Sequence, residues 1–216
     1  MDWTDTEIVF LIDKSGSMYG LEEDTIRGFN SMIEKQKKES GECMVTTILF
    51  NHEISMLYDR VKINDVPTMQ AEDYVVSGCT ALLDAIGFGI KHIELAQAAR
   101  RMRKKPTRTL FVITTDGMEN ASQKYTAEQV KRMVKKKQKK NWEFLFLGAN
   151  IDTVSTAKGI GIDANRAASF VNDSKGVAAN YEAISEAICA FRDKKEYEEI
   201  WKTKIEKDYC DRIVEI

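Results

Sequence analysis

Three segments of the chain are apolar without alternation: EIVFLI at 7–12, RTLFVITT at 108–115 and WEFLFLGAN at 142–150. A strand with one wet face alternates apolar and polar residues, so short continuous runs of this kind predict strands covered on both faces. Between them the period changes. From Leu21 to about Lys38, Ile26, Phe29 and Ile33 recur at helical spacing with Lys and Glu opposite. In SGCTALLDAIGFGIKHIELAQAARRM (77–102), Leu83, Ile86, Ile90 and Ile93 form one stripe. Gly87 and Gly89 weaken that helix, which predicts close packing against the sheet as compensation. TAEQVKRMVKKKQKK (126–140) reads as an amphipathic helix with Thr126 as its N-cap. CMVTTILF and EISMLYDRV flank Asn51 and His52 and predict a hairpin with a tight turn at those two residues. Farther on, the pattern gives a short helix from Asp152 to Gly159 and an edge strand within Arg166–Val171. Residues 176–205 read as a long terminal helix or a broken pair.

Strands alternating with helices predict an α/β fold: a doubly wound, Rossmann-like and mostly parallel sheet, one antiparallel edge strand, helices on both faces. With two prolines, Pro67 and Pro106, and no Gly/Ser-rich linker, the chain reads as one domain over 1–190. A helical extension over 191–216 is expected to pack on it or project from it. In such sheets ligands gather at the carboxyl ends of the strands, and Asp13 and Asp116 each follow a buried strand directly.

Composition narrows the function classes. Over 216 residues, 43% hydrophobic and 31% charged content is that of a globular protein with a full core. A net charge of −2 gives no global attraction to nucleic acid or to an anionic membrane, and no stretch is apolar for long enough to span a bilayer. The run KRMVKKKQKK at 131–140 is expected to be a solvated helix face. The acidic start MDWTDTEIVFLID does not resemble a signal peptide, which makes the cytoplasm the expected location. Cys43, Cys79, Cys189 and Cys210 form no CxxC pair and are expected as free thiols, and His52 and His92 share no ligand spacing.

The chemistry lies in oxygens. Asp13, Ser15 and Ser17 alternate in the loop after the first strand, so their side chains point to one side, and Gly16 lets the loop curl. The first amides of the helix that starts near Leu21 are expected to fix the Asp13 carboxylate. If the strands before Asp13 and Asp116 are neighbours, those acids meet, and Thr80 faces the same crevice from the start of its helix. Two carboxylates and three hydroxyls are hard ligands for Mg²⁺, Mn²⁺ or Ca²⁺. The D-x-S-x-S run alone reads equally well as a turn that caps a helix. Hydroxyl ligands donate little charge, so an ion held by this set stays electron-poor and suits an incoming Asp or Glu from a partner protein better than hydrolysis. One rival is a Mg²⁺-dependent phosphohydrolase, which needs a second acid where Ser15 stands. The other is a scaffold with a purely structural metal.

DKSGSM at 13–18, SGCTALLDAI at 77–86 and VITTDGMEN at 112–120 resemble the three loops of the von Willebrand factor A (VWA) family with its metal-ion-dependent adhesion site, MIDAS. The resemblance covers about residues 7–190 and is greatest to small, stand-alone intracellular bacterial members. It implies a non-enzymatic protein-binding module in which Ser15, Ser17 and Thr80 touch Mg²⁺ directly, with Asp13 and Asp116 direct or water-bridged. It also implies partners such as an AAA-type ATPase. Tyr19, Cys79, Met118, Glu119 and Asn120 would rim the metal. No base is placed near Cys79, which is expected as a small buried thiol. Trp201 and Tyr209, in a tail with no family role, either anchor a partner or close over the domain's own core.

Overall fold

A computed structural model describes residues 5–101, 107–193 and 199–213. The first four residues, Pro106, the segment 194–198 of the terminal helical run and the last three residues lie outside the described residues. The elements in chain order are β1 (Asp5–Asp13), α1 (Glu22–Gln36), β2 (Glu42–Phe50), β3 (Ile54–Lys62), α2 (Leu82–Arg101) and β4 (Thr107–Thr115). They continue with α3 (Ala127–Gln138), β5 (Trp142–Gly148), α4 (Thr153–Gly159), β6 (Ala167–Ser169), α5 (Ser174–Arg192) and α6 (Thr203–Ile213). The six strands form one sheet in the order β3-β2-β1-β4-β5-β6. All neighbours are parallel except β2 and β3, so the antiparallel strand lies at one edge.

The unbroken apolar runs are explained by two cores, one on each face. Ile8, Phe10 and Ile12 of β1 face a cluster with Phe29 of α1 and Ile184 and Ile188 of α5. Val9 and Leu11 face the opposite cluster, with Ile86 and Ile90 of α2 and Val130 and Val134 of α3. Every second residue of a strand serves one face, so a doubly covered strand must be apolar at each position.

The helices follow their expected faces with local differences. In α2 the buried stripe runs through Leu82, Ala85, Ile86, Ile90 and Ile93, while Leu83 is only half-buried. Of its two glycines only Gly89 meets the sheet: a Cβ there would lie 3.2 Å from Phe111 and 3.3 Å from Leu11. Gly87 instead lies under the Tyr125 ring. Thr126 caps α3 reciprocally with Gln129, as a capping box. The lysine-rich face is not wholly solvated. Lys137 is buried, with Nζ 2.8 Å from Glu94 and 4.4 Å above the Trp142 ring, because α3 crosses between α2 and β5 at that point.

The β2–β3 turn holds three residues, Asn51 to Glu53, with Phe50 paired to Ile54. β6 is confined to Ala167–Ser169. The terminal run is broken into α5 and α6, and α6 packs against α5 and β6. Trp201 and Ile205 are buried in the same cluster as Phe10, so this tail closes over the domain's own core, whereas Tyr209 is only half-buried. No described helix is long and apolar enough to cross a membrane.

Candidate metal centre

Parallel pairing of β1 with β4 sets the site. Their register ends with Ile12 opposite Thr114, so Asp13 and Thr115 are the last residues of adjacent strands and Asp116 follows one step later. Thr115 Oγ1 donates to Asp13 Oδ2 at 2.5 Å, and the Ser15 amide donates to Asp13 Oδ1 at 2.7 Å. The helix amides expected to do this are not used: a single 3-10 turn, Gly16–Met18, intervenes between β1 and α1 and lets the loop amide reach the acid first. Tyr74 Oη donates to the Asp13 carbonyl at 2.5 Å, fixing the backbone as well.

The hydroxyls converge from two loops. Ser15 Oγ and Ser17 Oγ lie 3.1 Å apart, and Ser17 Oγ donates to Asp116 Oδ1 at 2.5 Å. The Gly16 amide donates to the Gly78 carbonyl at 2.9 Å and the Ser77 amide to the Lys14 carbonyl at 2.9 Å, lacing the first loop to the one that carries Thr80. Asn51 braces that second loop: its Nδ2 donates to the Ser77 carbonyl, and its own carbonyl accepts the Ala81 amide, both at 2.8 Å. Asn51 is therefore more than the turn residue it reads as. The third loop enters through Gly117. An ideal Cβ built there would lie 3.0 Å from Ser17 Oγ, 3.1 Å from Thr80 Oγ1 and 3.8 Å from Ser15 Oγ. One point in space thus has all three hydroxyls around it, and the glycine leaves that point open.

Asp13, Ser15, Thr80 and Asp116 are buried, while Ser17 is exposed and opens the cluster to solvent. Burial lifts the Asp13 carboxyl to about 6, against the hydrogen bonds from Thr115 and Ser15, and the Asp116 charge adds to the rise. Burial raises Asp116 as well, opposed by hydrogen bonds from Ser17 and Asn172. No described basic side chain pairs with either acid. Two desolvated carboxyls, three hydroxyls and a side-chain-free cradle fit a hard divalent cation, whose charge would relieve both acids. Among the described residues no three His, Cys, Asp or Glu side chains come together as a metal cluster, so a thiolate- or imidazole-rich site has no counterpart there.

The expected rim divides in two. Tyr19 and Met118 are 83% and 71% exposed, and Cys79 is exposed too, contrary to the buried thiol expected, because the bonds that anchor its loop run through the neighbouring Ser77, Gly78 and Thr80 and leave the thiol outside. Glu119, half-buried, and Asn120, exposed, instead spend side-chain oxygens on backbone amides of the protein itself. Glu119 accepts the Leu83 amide at 2.9 Å and the Ser122 amide at 2.8 Å, while Asn120 Oδ1 accepts the Thr80 amide at 2.8 Å.

Sequence reasoning missed Asn172, whose Nδ2 donates to Asp116 Oδ2 at 3.1 Å from the loop between β6 and α5. The next residue, Asp173, caps α5 by accepting the Gly176 amide at 2.8 Å and is gripped by Arg212 of α6 at 2.5 Å. The run VNDSKG signals a helix start, and only the order of the strands brings it beside Asp116.

The arrangement of elements is shared with solved structures of low identity. Proximal thread matrix protein 1 from the mussel byssus, in a structure with a zinc-occupied MIDAS motif, gives a TM-score of 0.58 at 13% identity, over 87% of this chain and 46% of that one. The chain therefore spans less than half the length of the byssus protein. The von Willebrand factor domain of a type V pilus tip protein from Porphyromonas gingivalis gives 0.59 at 11% identity, over 87% and 96% of the two chains. The manganese-loaded TRAP protein of Plasmodium vivax gives 0.53 at 14% identity, over 82% and 71%. No curated protein matches the chain. The family model of the von Willebrand factor type A domain matches residues 7–183, which is most of the chain, and the protein therefore belongs to the von Willebrand factor type A domain family.

Proposed function

We propose that this domain binds a partner protein through a divalent cation held by Asp13, Ser15, Ser17, Thr80 and Asp116. Mg²⁺ is the first choice among hard cations, with Mn²⁺ and Ca²⁺ as alternatives. The observation that carries the reading is the ring of three hydroxyls around the side-chain-free face of Gly117, with two buried acids beside it. When bound, such an ion supplies a Lewis-acidic point that takes an anionic oxygen. The chain's own residues do the rest. Thr115 and the Ser15 amide hold Asp13, and Asn172 and Ser17 hold Asp116. The exposed Ser17 side marks where a partner's Asp or Glu carboxylate approaches.

The same reading makes the protein a non-enzymatic, stand-alone bacterial member of the family acting in the cytoplasm, with an AAA-type ATPase as the partner class to try first. Its support is the resemblance of the three loops. Residues 191–216 are taken as an extension of the same domain, supported by the burial of Trp201 and Ile205 in the main core. A phosphohydrolase has less support, because Ser15 stands where the second acid is needed.

The test is calorimetric titration of Mg²⁺ and Mn²⁺ into the chelator-treated protein and into Thr80→Ala, with melting curves in parallel. Thr80→Ala is expected to keep its fold and lose about tenfold or more in metal affinity. Absence of metal binding by the wild type overturns the proposal.

A further inference from the structure

Six large hydrophobic side chains are exposed among the described residues: Tyr19, Val75, Phe88, Leu95, Met118 and Val154. Phe88 and Leu95 belong to α2, whereas the other four lie on segments at the carboxyl edge of the sheet. Tyr19 follows Ser17 on the first site loop and Met118 follows Gly117 on the third. Val75 is brought there by its neighbours: Tyr74 reaches in to the Asp13 carbonyl, the Ser77 amide binds the Lys14 carbonyl, and Val75 between them is 61% exposed. Each of these loops also contributes to the hydroxyl cradle or is bonded to a loop that does. Exposed apolar side chains gathered around a polar centre mark an interaction surface.

We infer that the carboxylate received at this site belongs to a segment in which a single acid is flanked by apolar side chains, which pack against the collar of Tyr19, Val75 and Met118. The inference rests on the metal reading proposed above and adds the class of partner sequence. Two features favour this occupant over an acidic tract. Of the two polar rim groups, Glu119 is engaged by backbone amides and the exposed Asn120 has its Oδ1 held by the Thr80 amide, so these two offer an acidic tract no positive charge. The chain beyond Tyr19 enters α1 with Glu22, Glu23 and Asp24 in its first turn, of which Asp24 is paired with Arg27 at 2.9 Å, against one lysine, Lys14, on that loop. A partner with several acids would meet like charge there, while one acid with apolar neighbours meets a cation and an apolar ring.

The experiment uses fluorescein-labelled ten-residue synthetic peptides and polarisation in Mg²⁺ or chelator. One peptide has a central Asp flanked by Leu and Phe, one has the same Asp flanked by Ser, one has Asn at the centre of the apolar flanks, and one carries four Asp. The proteins are wild type and Tyr19→Ser/Met118→Ser, with Mn²⁺ affinity measured separately on each by electron paramagnetic resonance. The apolar-flanked Asp peptide is expected to bind about tenfold tighter than the Ser-flanked one, in Mg²⁺ only, and the Asn peptide not to bind. The double variant is expected to keep wild-type Mn²⁺ affinity and lose the preference. Equal or tighter binding of the Ser-flanked or four-Asp peptide, or no peptide binding by a protein that binds Mn²⁺, overturns the inference and leaves the metal reading standing. A wild type that does not bind Mn²⁺ removes both.

Discussion

Replacing Gly117 by alanine puts a methyl group where three hydroxyls now converge. Gly117 is not among the glycines with positive φ, so its backbone accepts an L-residue. The added carbon would stand 3.0 Å from Ser17 Oγ and 3.1 Å from Thr80 Oγ1, tight contacts that both hydroxyls must relieve by shifting a few tenths of an ångström. The Gly-to-Ala change stabilises through the unfolded chain by about 0.4–1 kcal/mol, which roughly offsets that crowding. The chelated variant should therefore melt within about 4 °C of wild type. Metal binding should respond very differently. A Mg²⁺ ion requires its oxygens at about 2.0–2.1 Å, and a methyl among the hydroxyls denies it at least two of them. The expected loss in Mg²⁺ or Mn²⁺ affinity is at least about 100-fold, or about 2.7 kcal/mol. Calorimetric titration measures the affinity, and melting in chelator measures the fold. Wild-type affinity in a variant with a wild-type melt would refute the idea that these hydroxyls share an ion.

Other perturbations separate electrostatics, positioning and packing. In chelator, burial pushes the Asp13 carboxyl up to about 6 in the folded protein from its ordinary value of 3.8, so between these pH values the native state holds a proton that the unfolded chain has released. From this group stability falls as pH rises from about 4 through 6, by about 3 kcal/mol in all. Urea melts at pH 5 and 7 should show a decline that saturating Mg²⁺ abolishes and Asp13→Asn flattens; a decline unchanged in Asp13→Asn would refute the assignment. Asn172→Ala removes the hydrogen bond to Asp116 Oδ2 and also the buried Oδ1, which has no partner, so stability should move by less than about 1 kcal/mol. Metal affinity should drop about tenfold, and calorimetry showing none would make Asn172 a bystander. Gly89→Val adds bulk against Phe111, Leu11 and Ile48 and should cost about 1–3 kcal/mol in a denaturant melt. Gly159→Ala, where nothing lies within 4 Å, should instead gain a few tenths.

What the sequence revealed was what short-range pattern encodes. Doubly covered strands leave continuous apolar runs, so β1, β4 and β5 were visible without any contact information, and the end of each run marked the edge where a site forms. Asp13, Ser15 and Ser17 announce themselves by alternation within five residues. The bracing around them was hidden because it depends on which strands and loops are neighbours. Thr115 reads as a strand terminus, Tyr74 as a loop aromatic and Asn172 as part of a helix start, yet Thr115 and Asn172 donate to the two carboxylates and Tyr74 to the Asp13 backbone carbonyl. Lys137 was hidden for a related reason. A lysine in a lysine-rich helix looks solvated until the crossing of α3 places it between Glu94 and Trp142. Cys79 was misread because burial follows how a loop is anchored, which residue type alone does not report.

The pairing of β1 with β4 also bears on the order of events in folding. Ser17 and Asp116 lie 99 positions apart in the chain, and only the completed register of the two strands brings their loops together. Closing so long a loop is slow, and it must precede any binding by the assembled set. A cation held there would find nothing to grip in the early, locally structured chain, so refolding should proceed at the same rate with or without it. The ion's effect would lie on the other limb of the chevron, as a slower escape from the native state.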